Sequence, residues 1–414
     1  MRRAAIVLLL AVALIGCGRK QRREPEPEGT LAKAEAFYAS QPRMRQPVPH
    51  SATPEGLPDV RSATCGACHQ EIYAEWRVST HSHAWTDDAQ FMAELEKSRK
   101  QGVDWMCVNC HTPVVTQLET VVVGLEGDQL HQPIREANPV FDPAMQEDAI
   151  GCATCHVRDG AVLGPYGDTA APHAVRKADE LRSIDVCTQC HQASAYFPEQ
   201  NLMCAFETGD EFRAGPYDDE GAVCQTCHMP EVERPLMAGF PARSTRRHWF
   251  GGSLIPKRPE YAAEVAALQP SYPHGMTLDW EDTDVQAGET LRARYANAEA
   301  GHRLPTGDPE RWILVEAWIE QDGRTVAKSE ERIGSVYEWW PTVKKLSDNR
   351  LAPREERSLA LTVPADLSGE VTLRLRATKG RLSDEVMEFH DLHGKAVPSL
   401  VFVDETARAT VSTR

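Results

Sequence analysis

The chain has 414 residues, a formal net charge of −16 and 26% charged residues. An acidic balance of this size excludes nucleic acid and anionic lipid surfaces as binding partners, because both would repel it. The length suits about two domains, and 12 cysteines in one chain ask for a role beyond packing.

The first sixteen residues are expected to be a signal peptide. Met1-Arg2-Arg3 is a short charged start, Ala4 to Ile15 an apolar run, and Gly16-Cys17 its end. The run is too short to span a bilayer. Leu14-Ile15-Gly16-Cys17 resembles the lipobox of bacterial lipoproteins, which implies cleavage before Cys17 and its acylation. Loss of Arg2 and Arg3 takes the mature charge to about −18. Residues 17–58 are rich in charge and proline, with Glu24-Pro25-Glu26-Pro27-Glu28 as the stiffest part, and read as a lipid-anchored tether. A short helix is expected within it around Leu31 to Ala39, where Leu31, Ala34 and Tyr38 share a side.

Residues 59–252 carry one pentapeptide five times, Cys-x-x-Cys-His: Cys65, Cys68 and His69; Cys107, Cys110 and His111; Cys152, Cys155 and His156; Cys187, Cys190 and His191; Cys224, Cys227 and His228. This is the attachment signature of c-type haem. In one helical turn, residues three and four apart share a face, so two thiols and an imidazole point at one object. The thiols form thioethers to the porphyrin and the imidazole is the proximal iron ligand. Zinc sites and redox dithiols also use paired cysteines, but neither needs a His directly after the second Cys. Five covalently bound c-type haems are expected. Of the remaining cysteines, Cys17 is the lipid site and Cys204 reads as a small buried apolar residue. Polypeptide between the motifs has few apolar periods, so the interior is expected to be largely porphyrin, with short helices at the motifs. Helices are also expected from Glu71 to Arg77 and from Asp88 to Arg99.

Ten further histidines exceed the five needed as distal iron ligands: His50, His81, His83, His131, His173, His248, His274, His302, His390 and His393. The candidates by context are His81 and His83, two positions apart and so able to serve different haems, His173 after Ala171-Pro172, His248 beside Trp249 and Phe250, and His302 in Gly301-His302-Arg303-Leu304-Pro305-Thr306-Gly307.

Residues 253–284 read as a connecting segment. From 285 to 414 the period changes to two: Leu291, Ala293 and Tyr295; Leu359, Leu361 and Val363; Val371, Leu373 and Leu375. Arg311 to Glu320 is continuously apolar enough for a central strand. The fold class expected is α+β: a mainly α and irregular multihaem domain, then an antiparallel β-sandwich of immunoglobulin-like type. If His302 reaches the haem domain, that sandwich completes a haem site.

Over roughly Ser62 to Gly252 the chain resembles multihaem cytochromes of the cytochrome c-554 and c-prime type, a family allied to hydroxylamine oxidoreductases and pentahaem nitrite reductases. The resemblance rests on Trp76-x-x-Ser79-x-His81, on Cys-x-x-Cys-His-Thr-Pro through Pro113, on Gly151-Cys152-x-x-Cys155-His156, on Ala171-Pro172-His173, and on Cys-x-x-Cys-His-Met-Pro through Pro230. The string at His302 also looks like one in relatives with a C-terminal β domain. The resemblance implies closely stacked, mostly bis-histidine haems that carry electrons. Five motifs exceed the four of the tetrahaem carriers, and no Cys-x-x-Cys-Lys replaces one as at the active haem of the pentahaem nitrite reductases.

The function expected is therefore electron transfer between redox partner proteins in the bacterial cell envelope, on the periplasmic side or at the outer membrane. The partners would carry a basic docking surface, and membrane contact would run through the lipid anchor only. The alternatives are a multihaem oxidoreductase acting on nitrite, hydroxylamine or nitric oxide, and a subunit of an extracellular cytochrome filament. No catalytic constellation stands out.

Overall fold

The structure is a computed structural model that describes residues 27–167, 170–197, 202–268 and 272–412. The expected signal peptide and Cys17 lie outside the described residues. The expected tether does not extend to Pro58. Pro27–Ala39 is one helix, with Pro27 at its first turn, where a missing N–H costs nothing. Its apolar stripe buries Ala34 and Tyr38 against Trp105, Val121 and Val122. Thr30 donates to Glu136 at 2.6 Å, and Val122 N donates to the Tyr38 hydroxyl at 3.2 Å. Further on, Val48 bridges Val114. A helical stripe with a waiting apolar surface outweighs a charged and proline-rich composition.

The haem region is built from short helices and two- or three-stranded sheets. Gln70–Arg77 and Ala89–Lys100 match the expected helices, and the Asp88 side chain caps the latter by accepting from Phe91 N. Buried apolar side chains here form separate small groups, such as Ala84, Trp85, Leu95 and Ala149, or Val48, Val114, Met145, Ala153 and Val157. A domain of this length normally holds one contiguous core.

The C-terminal part has one. Its strands are β1 (Met276–Trp280), β2 (Thr290–Asn297), β3 (Trp312–Gln321), β4 (Arg324–Glu338), β5 (Lys344–Asp348), β6 (Glu356–Thr362), β7 (Gly369–Gly380) and β8 (Ser399–Val411). They form two antiparallel sheets, β1-β2-β6 and β5-β4-β3-β7-β8. The inward residues of both, including Leu291, Ala293, Tyr295, Val315, Leu361, Leu373 and Leu375, fill a single core. Alternation of period two is what one-sided burial requires. β3 lies centrally between β4 and β7, as its apolar run predicts. The sandwich begins earlier than expected, because β1 falls inside 253–284. The rest of that segment is not a free connection either, since Leu254 and Ile255 are buried.

Charged side chains lock the two parts together. Arg350 binds Glu211 at 2.5 Å, Thr306 donates to Glu211 at 2.7 Å, and the Tyr196 hydroxyl donates to Val343 O at 2.6 Å. Asp88 is buried between Lys257 and Arg381, the latter at 3.0 Å. Burial alone would raise the Asp88 carboxyl; the two cations outweigh it and hold the group at about 2, below its usual 3.8. The folded chain therefore binds this proton less readily than the unfolded chain, and stability falls as pH drops from about 4 toward about 2. Asp88→Asn, which leaves two buried cations without their carboxylate, should cost about 3–5 kcal/mol by denaturant titration and flatten that acid limb.

Candidate haem sites

Four pentapeptides lie whole on short helices, Asp104–His111, Cys152–His156, Asp185–His191 and Cys224–His228, while the first starts at the end of Ser62–Gly66 and runs through a turn to His69, which precedes the helix Gln70–Arg77. Close packing sets residue choice around the first and third. A Cβ on Gly66 would sit 2.4 Å from the Tyr73 ring, and one on Gly151 would sit 2.7 Å from Ser62 Oγ. Ser62 joins the two turns, donating its N–H to Asp148 at 2.6 Å and accepting from Cys152 N at 3.1 Å.

The motifs approach one another at their thiols. Cys65 lies close to Cys152, Cys110 to Cys190, and Cys187 to Cys224. Cys155 lies within electrostatic reach of Cys190. The fourth motif thus borders the second, third and fifth, while the first borders the third. Burial pushes Cys107 and Cys155 up to about 11, whereas an active thiol is held low. Cys152 and Cys224 are lowered chiefly by Cys65 and Cys187 of other motifs. None of the described cysteines is in a disulfide. Among the described residues, no group of three or more His, Cys, Asp or Glu could hold a metal ion by itself.

Three proximal imidazoles face one of the predicted distal ones. The ring centroids of His81 and His191 are 6.3 Å apart, those of His156 and His248 6.1 Å, and those of His228 and His302 6.1 Å. Two imidazoles sharing one metal at a metal–nitrogen distance of about 2 Å have centroids roughly 6 Å apart. These separations fit an iron between each pair.

Hydrogen bonds fix the chemistry of the rings. His69 Nδ1–H donates to Leu236 O at 2.9 Å, His111 to Ala84 O at 2.6 Å, His156 to Leu163 O at 2.8 Å and His228 to Gly251 O. On the distal side, His248 donates to Arg246 O at 2.8 Å and His302 to Arg303 O at 2.9 Å. A carbonyl only accepts, so Nδ1 carries the hydrogen and Nε2 keeps its lone pair for a metal. Burial holds His81 at about 3, with the neighbouring His191 and His228 imidazoles adding to it, and holds His111, His191, His248 and His302 at about 4. The rings are neutral at neutral pH, the form that ligates.

Distant segments deliver the distal rings. His248 N donates at 2.9 Å to Glu75, whose buried carboxylate is gripped by Arg234 at 2.7 and 3.0 Å. Phe250 lies against both His81 and His248, with centroids at 4.4 and 5.8 Å. Trp249 turns instead into an apolar group with Tyr272. His302 is pinned by the β-sandwich: Asn297 donates to its carbonyl at 2.8 Å, and Leu304 and Leu351 exchange backbone hydrogen bonds. A Cβ on Gly301 would sit 2.8 Å from the Phe212 ring, so a small residue lets this loop close on the haem domain.

The other candidates are placed differently. His83 is buried and stacks on Tyr261 at 4.0 Å; its Nδ1 donates to Asp87 at 2.8 Å, and its Nε2 is buried with no partner. His173 is half-buried and makes no ring contact with another imidazole among the described residues. Neither do His69 and His111, although Phe91 stacks on His111 at 3.5 Å. The surplus histidines His274 and His390 are engaged with Lys379 and Glu94. Sequence reasoning missed Glu75, Asp87, Phe91, Tyr261 and Arg234. Only Asp87 has a local signal, its spacing of four from His83; the partners of the others lie on other segments.

Residues 64–157, which hold the first three motifs, match the family model for cytochrome c554 and c-prime. Through this segment the chain is similar to the multihaem cytochromes c of that type. No curated protein matches this chain in sequence. Among solved structures it is similar in fold to a penta-heme cytochrome c552 from Thermochromatium tepidum, with TM-score 0.58 and 18% identity over 89% of this chain and 100% of that one. A cohesin module from Clostridium perfringens aligns with 34% of this chain and 97% of its own, at 13% identity and TM-score 0.18, and no conclusion rests on it.

In the haem-loaded protein, His302→Ala should convert one haem from low to high spin, read by EPR, with the number of attached haems unchanged in the mass spectrum. The same substitution at His50, which is exposed and bonds Thr116, should leave the spectrum as it is.

Proposed function

We propose that this protein is an electron relay of the bacterial cell envelope. It would hold five c-type haems on the thiols of its five Cys-x-x-Cys-His turns, with His69, His111, His156, His191 and His228 as proximal ligands. The observation that carries this reading is the set of three opposed imidazole pairs on motifs that lie close to one another around the fourth. Each opposed pair would hold one haem iron through two imidazole nitrogens, an arrangement that suits electron transfer more than substrate binding. Bis-histidine ligation places such haems toward the lower end of the range of about 0.8 V that axial ligands span.

His83 fits a fourth distal ligand. A buried imidazole with an orphaned Nε2 and a carboxylate on Nδ1 has the arrangement of a metal-ligating histidine, with Asp87 as its positioning residue. His173 is the remaining distal candidate. When bound, the haems supply one-electron chemistry; the polypeptide fixes the axial nitrogens, excludes water with Phe250 and Phe91, and sets the charge around each site.

Export with a signal peptide at residues 1–16 and acylation of Cys17 would hold the protein at a membrane surface. Among the described residues no helix is long and apolar enough to cross a membrane. The acidic surface favours redox partners with a basic docking face.

Mass spectrometry of the mature exported protein should find five haem adducts and acyl chains on Cys17, and EPR should find predominantly low-spin iron. A colourless, stably folded product would end the haem reading. A large high-spin fraction together with turnover of nitrite, hydroxylamine or nitric oxide would replace the relay with an enzyme.

A further inference from the structure

Two half-buried guanidiniums beside the motifs have no ion-pair partner among the described residues. Arg45 and Arg311 each keep a buried Nε with no hydrogen-bond partner, and among the described residues neither enters an ion pair. A buried donor without an acceptor is rare in folded proteins, and a buried unpaired charge rarer still.

Both sit beside the fourth motif. The Arg43–Arg45 turn is clamped between two motif helices: Asn109 of the second donates to Arg45 O at 2.6 Å, and Gln189 of the fourth donates to Gln46 O at 2.9 Å. Arg311 lines the crevice between the two domains beside Ala205, whose strand pairs with the strand that directly follows His191. Its Nε is 3.3 Å from where a Cβ on Gly307 would stand, so the glycine leaves the guanidinium its room. The nearby carboxylates are committed elsewhere. Asp308 accepts from Glu310 N at 2.9 Å, Asp88 is held by Lys257 and Arg381, and Glu211 is held by Arg350 and Thr306.

The anions missing from this arrangement are those that a porphyrin brings with it. Resting on the haem reading above, we propose that Arg311 binds a carboxylate of the porphyrin attached at Cys187 and Cys190, and that Arg45 does the same where the second and fourth motifs meet. A fixed cation beside a haem favours the reduced iron, which carries one positive charge fewer, and so raises its potential. The fourth haem, bordering three others, is then the most oxidising of the set and the point where electrons collect.

The test uses haem-loaded R311Q, R311K and R45Q. Haem number by mass spectrometry comes first: an unchanged count keeps the haem reading intact whatever follows, and a wild-type protein without haem fails that reading, not this one. In a potentiometric titration followed by absorbance, R311Q should lower the midpoint of one component and leave the others in place, with R311K returning most of the shift. Resonance Raman should show a shifted propionate bending band in the same variant. Should R311Q not accumulate, R45Q carries the test with the same expected pattern. A full haem complement with unmoved midpoints and an unmoved Raman band overturns the proposal, as does a uniform shift of all components.

Discussion

A neutral imidazole on a local turn facing a second imidazole from far along the chain is the contact on which the N-terminal half depends. The half has no continuous apolar core to hold it. Its helices are mostly five to eight residues long where they carry motifs, too short to persist alone. On the proposed reading, rigid apolar porphyrins gripped from both faces would make such pieces cohere. The carbonyls on Nδ1 matter for that reason: each turns a ring so that its remaining lone pair points outward, and burial keeps it unprotonated.

The β-sandwich belongs to this scheme. It has a large core of its own and would stand without the haem region, yet its loop at His302 supplies the ring facing His228. Precision in that loop comes from rigid neighbours: the Leu304–Leu351 bridge, the Asn297 side chain and the tight approach of Gly301 to Phe212. The interface is correspondingly ionic and buried, with Asp88 and Glu211 each gripped by residues from across the boundary. Such contacts add little net stability but penalise any slip in register, since a displaced charge would be left unpaired in a dry site.

Charge is distributed to the same end. The protein is strongly acidic as a whole, but cations gather where the two domains meet around the second and fourth motifs: Arg311, Lys257, Arg381 and Arg45. On the readings proposed above, the acidic exterior would favour basic partners and the cations near the motifs would bias where an electron rests.

The sequence by itself determined the five Cys-x-x-Cys-His turns, because two thiols and an imidazole fall within five residues and local geometry alone brings them together. It also determined the alternating strands of the sandwich, since a period of two is a local consequence of one buried face. Four features were decided only by the tertiary structure. It chose which distal ring meets which motif, joining His81 to His191, His248 to His156 and His302 to His228 across long stretches of chain. It packed residues 29–50 onto the haem region despite their polar composition, and it started the sandwich at Met276. It also buried His83 with Asp87 and Tyr261 while leaving His173 without an imidazole neighbour. The reason is common to all four: a ligand, a helix stripe or an ion pair is completed by a surface that another part of the chain provides, and spacing along the sequence carries no record of it.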